Sequence, residues 1–168
     1  ITEDSCYESL AYEIIKDKSG KKSVRFGIPS NLYFIGMMND VDKSIDAFDL
    51  ALRRRFTWIR KDCDYDVIES HTQLANGEEF TNIANYKKCA EKLNEYINKD
   101  LGLGSSYEFG HAFFMKISTI ATKNEIELDD IKELFNRHLR PTLKEYLRAF
   151  FSESEIETHL DKALMIFQ

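Results

Sequence analysis

The chain has 168 residues, 43% of them apolar, and a formal net charge of −6. That length suits one domain or two small subdomains, and that apolar share is enough to bury a core. The acidic balance argues against gripping DNA directly, because non-specific affinity comes from Lys and Arg neutralising phosphates; the local exception is the basic run Arg53-Arg54-Arg55.

The three cysteines, Cys6, Cys63 and Cys89, are far apart and show no paired ligand spacing. They read as buried or free thiols in a reducing cytosol and not as a metal site, so the expected location is cytoplasmic. Ile1-Thr2-Glu3-Asp4 is no signal peptide, and the lack of an initiator Met is expected of a fragment or a processed chain. No apolar run approaches the roughly 20 residues of a membrane span.

In chain order, Ser5 to Lys16 reads as a helix, with Leu10 and Ile14 at helical spacing. Ser23 to Phe26 is a short strand candidate. Leu32 to Met38, continuously apolar and short, reads as a strand covered on both faces of an α/β layer. A helix is expected from Lys43 to Arg54, capped by Asp42, and Phe56 to Ile59 reads as a second short strand. Past Lys61 no convincing strand remains. Helices are expected over Tyr65–Leu74, Ile83–Asn98, Gly110–Ile120 and Leu128–Leu139, then from Pro141 to about Phe151 and from Ser152 to Phe167. The expected organisation is α/β plus all-α: a partial α/β subdomain over 1–62 and a helical subdomain over 63–168.

A buried strand ending in Asn39-Asp40 would place polar side chains at the carboxyl edge of a sheet, where open α/β sheets bind ligands. On the residues alone, Asn39 either orients a water or a terminal phosphate, or it satisfies a turn while Asp42 caps the next helix. One arginine at a helix end complements the macrodipole. Three in a row repel one another, and suit an anionic partner such as a phosphate on which charge develops in a transition state. His111, among aromatic neighbours, reads either as a packed core histidine or as a functional one.

The run Met38-Asn39-Asp40-Val41-Asp42-Lys43-Ser44 resembles the M-N-T-A-D-R-S signature of McrB-type AAA+ proteins, the GTP-hydrolysing motors of a modification-dependent restriction system. Ala51 to Phe56 resembles the family's A-L-R-R-R-F at the same distance. Phe109-Gly110-His111-Ala112-Phe113-Phe114 is similar to its I-G-H-S-Y-F, and Arg140 to Leu147 to its P-L-L-E-E-Y-L ending. The resemblance spans about Leu32 to Phe151. It implies the C-terminal part of an AAA+ large subdomain (sensor I strand, finger helix, last strand) followed by a helical lid. It further implies that Asn39 is the sensor I residue near the γ-phosphate and catalytic water, that Asp42 is the signature's acidic residue, and that Arg53 and Arg54 are fingers presented across a subunit interface. His111 would stand at the start of a lid helix, in the sensor II region, and contact nucleotide.

Three positions depart from the pattern. Asp40 replaces Thr, Val41 replaces Ala, and Lys43 replaces Arg, and Lys lacks the bidentate fork of Arg. No phosphate-binding loop G-x-x-x-x-G-K-S/T is present: around Gly20-Lys21, Ile15 holds the first glycine's place and Lys22 that of Ser or Thr. Nor does an apolar strand end in Asp-Glu to hold Mg²⁺. The expectation is therefore a C-terminal portion that is inactive alone. In the parent protein it would serve hydrolysis of GTP, or of ATP, with Mg²⁺, inside a ring of identical AAA+ subunits. A McrC-type nuclease would be its partner, DNA would be met through other domains, and no membrane would be involved. A non-hydrolysing AAA+-derived binding module, and an ATP-using MoxR- or dynein-like relative, are the alternatives.

Overall fold

A computed structural model of the protein describes residues 12–16, 22–26, 31–37 and 54–168. They belong to two compact units, one within residues 1–39 and one within 40–168.

In the first unit, β1 (Tyr12–Lys16) pairs antiparallel with β2 (Lys22–Phe26), Tyr12 opposite Phe26 and Lys16 opposite Lys22. β2 agrees with the strand expected at 23–26. β1 corrects the second half of the helix expected over 5–16. Tyr-Glu-Ile-Ile-Lys is rich in aromatic and β-branched residues, and with a facing strand close in sequence the ladder outweighs the helical spacing. Residues 5–11 lie outside the described residues. Leu32 to Met37 is also a correction: it forms no strand but an irregular, exposed segment, with Ile35 94% and Met37 98% exposed. A strand exists only with a neighbour to pair its backbone, and no described segment provides one here.

In the second unit, Arg54 and Arg55 form a turn, and Phe56 to Ile59 is bent and then irregular and exposed, not the expected strand. The rest of the helix expected over 43–54 lies outside the described residues. The strands of an AAA+ large subdomain are thus not seen among the described residues, which are mostly helical.

The helices form close to where the sequence places them, except that the break expected between Leu139 and Pro141 is absent and the helix expected to reach Phe151 ends at Leu147. Asp64 caps α1 (Tyr65–His71) by accepting from the Asp66 and Val67 N–H groups at 3.1 and 3.4 Å. α2 (Ile83–Glu95) runs on into a π-helical turn over Tyr96–Asp100. Its buried face is Tyr86, Ala90, Leu93, Asn94 and Ile97, an apolar stripe at helical spacing with one polar interruption. α3 (His111–Met115) is short and tightens to a 3₁₀ turn over Lys116–Thr119.

α4 (Leu128–Leu134) starts with a capping box in which the Glu127 N–H donates to the Asp130 carboxylate at 2.9 Å. It passes through a π turn, Phe135–Leu139, into α5 (Arg140–Leu147). Pro141 lacks an N–H, and the ladder widens just before it, where the Arg140 N–H reaches back to the Phe135 carbonyl. Ile131, Leu134, Phe135, Leu139, Leu143 and Leu147 stay on one buried face throughout. α6 (Glu153–Phe167) opens with the Ser152/Glu155 capping box and buries Ile156, Leu160, Ala163 and Phe167 against α2 and α5. At the centre, the Phe167 ring lies 5.8 Å from those of Tyr86 and Phe114 and 6.4 Å from that of Phe135. A row of ion pairs crosses from α5 to α6, led by Arg140 and Lys144 on Glu157, each at 2.6 Å.

Candidate functional site

Of the residues singled out from the sequence, Asn39, Asp42 and Arg53 lie outside the described residues. Arg54 is exposed in its turn. His111 is the first residue of α3, half-buried, and the structure surrounds it with a specific set of contacts.

Those contacts start with Phe109. Its ring is fully buried against Phe113, Phe114 and Tyr146. Burial takes the Phe109 backbone away from water, and an unpaired backbone group there is costly. Asn94, 1% exposed in α2, meets both groups: its Oδ1 accepts from the Phe109 N–H at 2.8 Å and its Nδ2 donates to the Phe109 carbonyl at 2.9 Å. The same Nδ2 donates to the Tyr65 hydroxyl at 3.0 Å. Two residues after Phe109, His111 Nδ1 accepts from the Asp64 backbone N–H at 3.3 Å. The turn that begins α3 is therefore tied to α2 on one side and to the start of α1 on the other.

Burial dominates the electrostatics here. It pushes the Cys63 thiol up to about 12, helped by the Glu108 carboxylate and opposed by a hydrogen bond with Tyr65. It likewise pushes the Tyr65 phenol up to about 12, against the hydrogen bond from Asn94. Neither group is charged near neutrality, so neither supplies a nucleophile. Arg60 pairs with Asp62 at 2.5 Å and donates to Ser106 at 3.3 Å, which anchors the exposed 54–62 segment to the Gly102–Ser106 loop. Among the described residues no cluster of three or more His, Cys, Asp or Glu could hold a metal ion. Two cavities among the described residues measure about 100 and 170 Å³. Small-molecule sites run to roughly 300–1,000 Å³, so neither holds a nucleoside triphosphate.

Sequence reading missed Asn94 and Tyr65, and also Asn82, which clamps the Ile126 backbone with two bonds of 2.9 Å. For Asn94 a signal was there: a polar residue on the buried stripe of α2, one step beyond Leu93.

The family model for the alpha-helical lid domain of McrB matches residues 85–156. Those residues are an McrB-type lid. Asn94, Phe109 and His111 all belong to it. The chain is also 31% identical over 124 residues to the type IV methyl-directed restriction enzyme EcoKMcrB subunit of Escherichia coli (strain K12). That similarity takes in 73% of this chain, and the chain spans 27% of the relative's length. No solved structure matches the chain. No helix among the described residues is long and apolar enough to cross a membrane.

Proposed function

We propose that this chain is the C-terminal portion of an McrB-like AAA+ nucleoside triphosphatase whose hydrolysis drives DNA restriction. The observation that carries the reading is the McrB-type lid at 85–156, together with identity to a restriction subunit over most of the chain. The motif order Asn39, Asp42, Arg53-Arg54, His111 supports it. Within this reading, residues 1–62 belong to the α/β subdomain and 63–168 to the lid, and the protein works in the cytoplasm.

In the mechanism that follows, Asn39 holds the attacking water near the γ-phosphate. Arg53 and Arg54 reach the triphosphate of the neighbouring subunit and stabilise charge that develops in the transition state. Asp42 is the acidic residue of the signature that precedes them. His111 contacts the nucleotide from the lid. GTP is favoured over ATP by the resemblance, Mg²⁺ would be held by residues outside this chain, and identical subunits would form a ring that engages a McrC-type nuclease.

The test is phosphate release from the 168-residue chain and from a longer protein containing it. Turnover is expected only from the longer protein, with GTP preferred. A longer protein that binds neither GTP nor ATP would support a non-hydrolysing module instead, and preference for ATP would support a MoxR- or dynein-like relative.

A further inference from the structure

Asn94 is the most deeply buried polar residue of the lid, 1% exposed on a helix face where Leu or Ala would pack without any polar cost. Its three hydrogen bonds go to the two segments that hold His111: Phe109, two residues before it, and Tyr65, next to Asp64. With the bond from the Asp64 N–H to His111 Nδ1, they close a ring from α2 through the start of α3 and the start of α1 back to α2.

We propose that Asn94 is a positioning residue that, through this ring, fixes the tautomer of His111 so that its Nε2 proton is what meets an anionic ligand, a nucleotide phosphate; the ligand part rests on the reading of the lid as nucleotide-facing.

The chemistry of the partners decides the tautomer. A backbone N–H can only donate, so Nδ1 of His111 must accept and the neutral ring carries its proton on Nε2. Two other histidines, His71 and His159, differ. His71 Nδ1 meets the Ser70 hydroxyl at 2.7 Å and His159 Nδ1 meets the Tyr96 hydroxyl at 3.2 Å, and a hydroxyl can take either role. In its neutral form the His111 ring thus presents Nε2–H as a donor, suited to a phosphate oxygen. The polar ring costs a buried amide in the core. A fully satisfied network of this kind makes the arrangement rigid, because any slip leaves a buried group unpaired.

The ring nitrogens report this directly. With the ring in its neutral form, ¹⁵N shifts of His111 in the 168-residue chain should show a protonated Nε2 and an unprotonated Nδ1. Asn94→Ala should give an average of both tautomers, while Asn94→Asp, which still accepts from the Phe109 N–H, should keep the Nε2 form dominant. If Asn94→Ala does not fold, Tyr65→Phe serves in its place and should admit a fraction of the second tautomer. A protonated Nδ1 in the native chain, or unchanged His111 shifts in every folded variant, overturns the positioning role. The ligand half is read separately, from binding of a non-hydrolysable GTP analogue to the longer protein. His111→Gln keeps a donor at the ε position and should bind nearly as well as the native protein. His111→Asn keeps an acceptor at the δ position but has no group that reaches the ε position, and should bind roughly ten- to a hundred-fold more weakly, the loss of a hydrogen bond to a charged group. Equal weakening by both variants, with the tautomer as expected, overturns the ligand half alone.

Discussion

Phe167 lies in the last turn of α6, at the edge of the helix. Its ring is fully buried there, and it touches aromatic rings from three other segments, at Tyr86, Phe114 and Phe135. Phe167→Ala should therefore cost what a core phenylalanine costs, about 3–5 kcal/mol from lost transfer energy and the cavity left behind. A small domain is stable by only about 5–15 kcal/mol, so the variant should be folded but marginal. Urea unfolding followed by circular dichroism should show a lower midpoint with an unchanged slope, because the surface exposed on unfolding stays nearly the same. Phe167→Leu should recover more than half of the loss. A loss below about 1 kcal/mol for Phe167→Ala, the size of a surface substitution, would refute the packing of α6 across α2.

Four further outcomes follow. Asn82→Ala should destabilise by about 1–3 kcal/mol, because it leaves the Ile126 N–H and carbonyl without partners, and amide exchange at Ile126 should quicken. Cys63 should resist alkylation near pH 8: a thiol raised from 9.0 to about 12 has roughly a thousandth of the thiolate, which timed labelling with mass spectrometry would show. The same shift makes stability pH-dependent. The folded state keeps the Cys63 proton where the unfolded chain loses it, so this contribution is complete below about pH 9, falls as pH rises from there towards 12, and should disappear in Cys63→Ser. In the longer protein, Arg54→Ala should lower turnover by about 10³–10⁵ while leaving nucleotide binding intact, and mixing it with subunits lacking a working phosphate loop should show whether the arginine acts across an interface.

The helical part was legible because its signals are local. The apolar stripes of α2, α4 to α5, and α6 repeat at helical spacing, while the break read at Pro141 is bridged by helix on both sides. What the pattern does not encode is the widened turn at Phe135–Leu139, just before Pro141, within a helix that continues on both sides. The strand expectations failed for a different reason. Leu32 to Met37 and Phe56 to Ile59 have strand composition, but composition does not supply a neighbouring strand, and the described backbone there is irregular and exposed. At Tyr12–Lys16 the partner was local, at Lys22–Phe26, and the ladder formed where a helix was expected. Of the candidate site, motif spacing located His111 but not what holds it. The tie from Asn94 to Phe109 joins residues that are close only in the folded chain.

The reading of this chain as part of a hydrolysing motor is tested most directly by phosphate release from the longer protein, measured with GTP and with ATP, native and with Asn39→Ala. The account predicts GTP turnover that Asn39→Ala abolishes while analogue binding persists, and no turnover from the 168-residue chain alone. Turnover unchanged by Asn39→Ala, or robust turnover by the 168-residue chain after repurification, would contradict it.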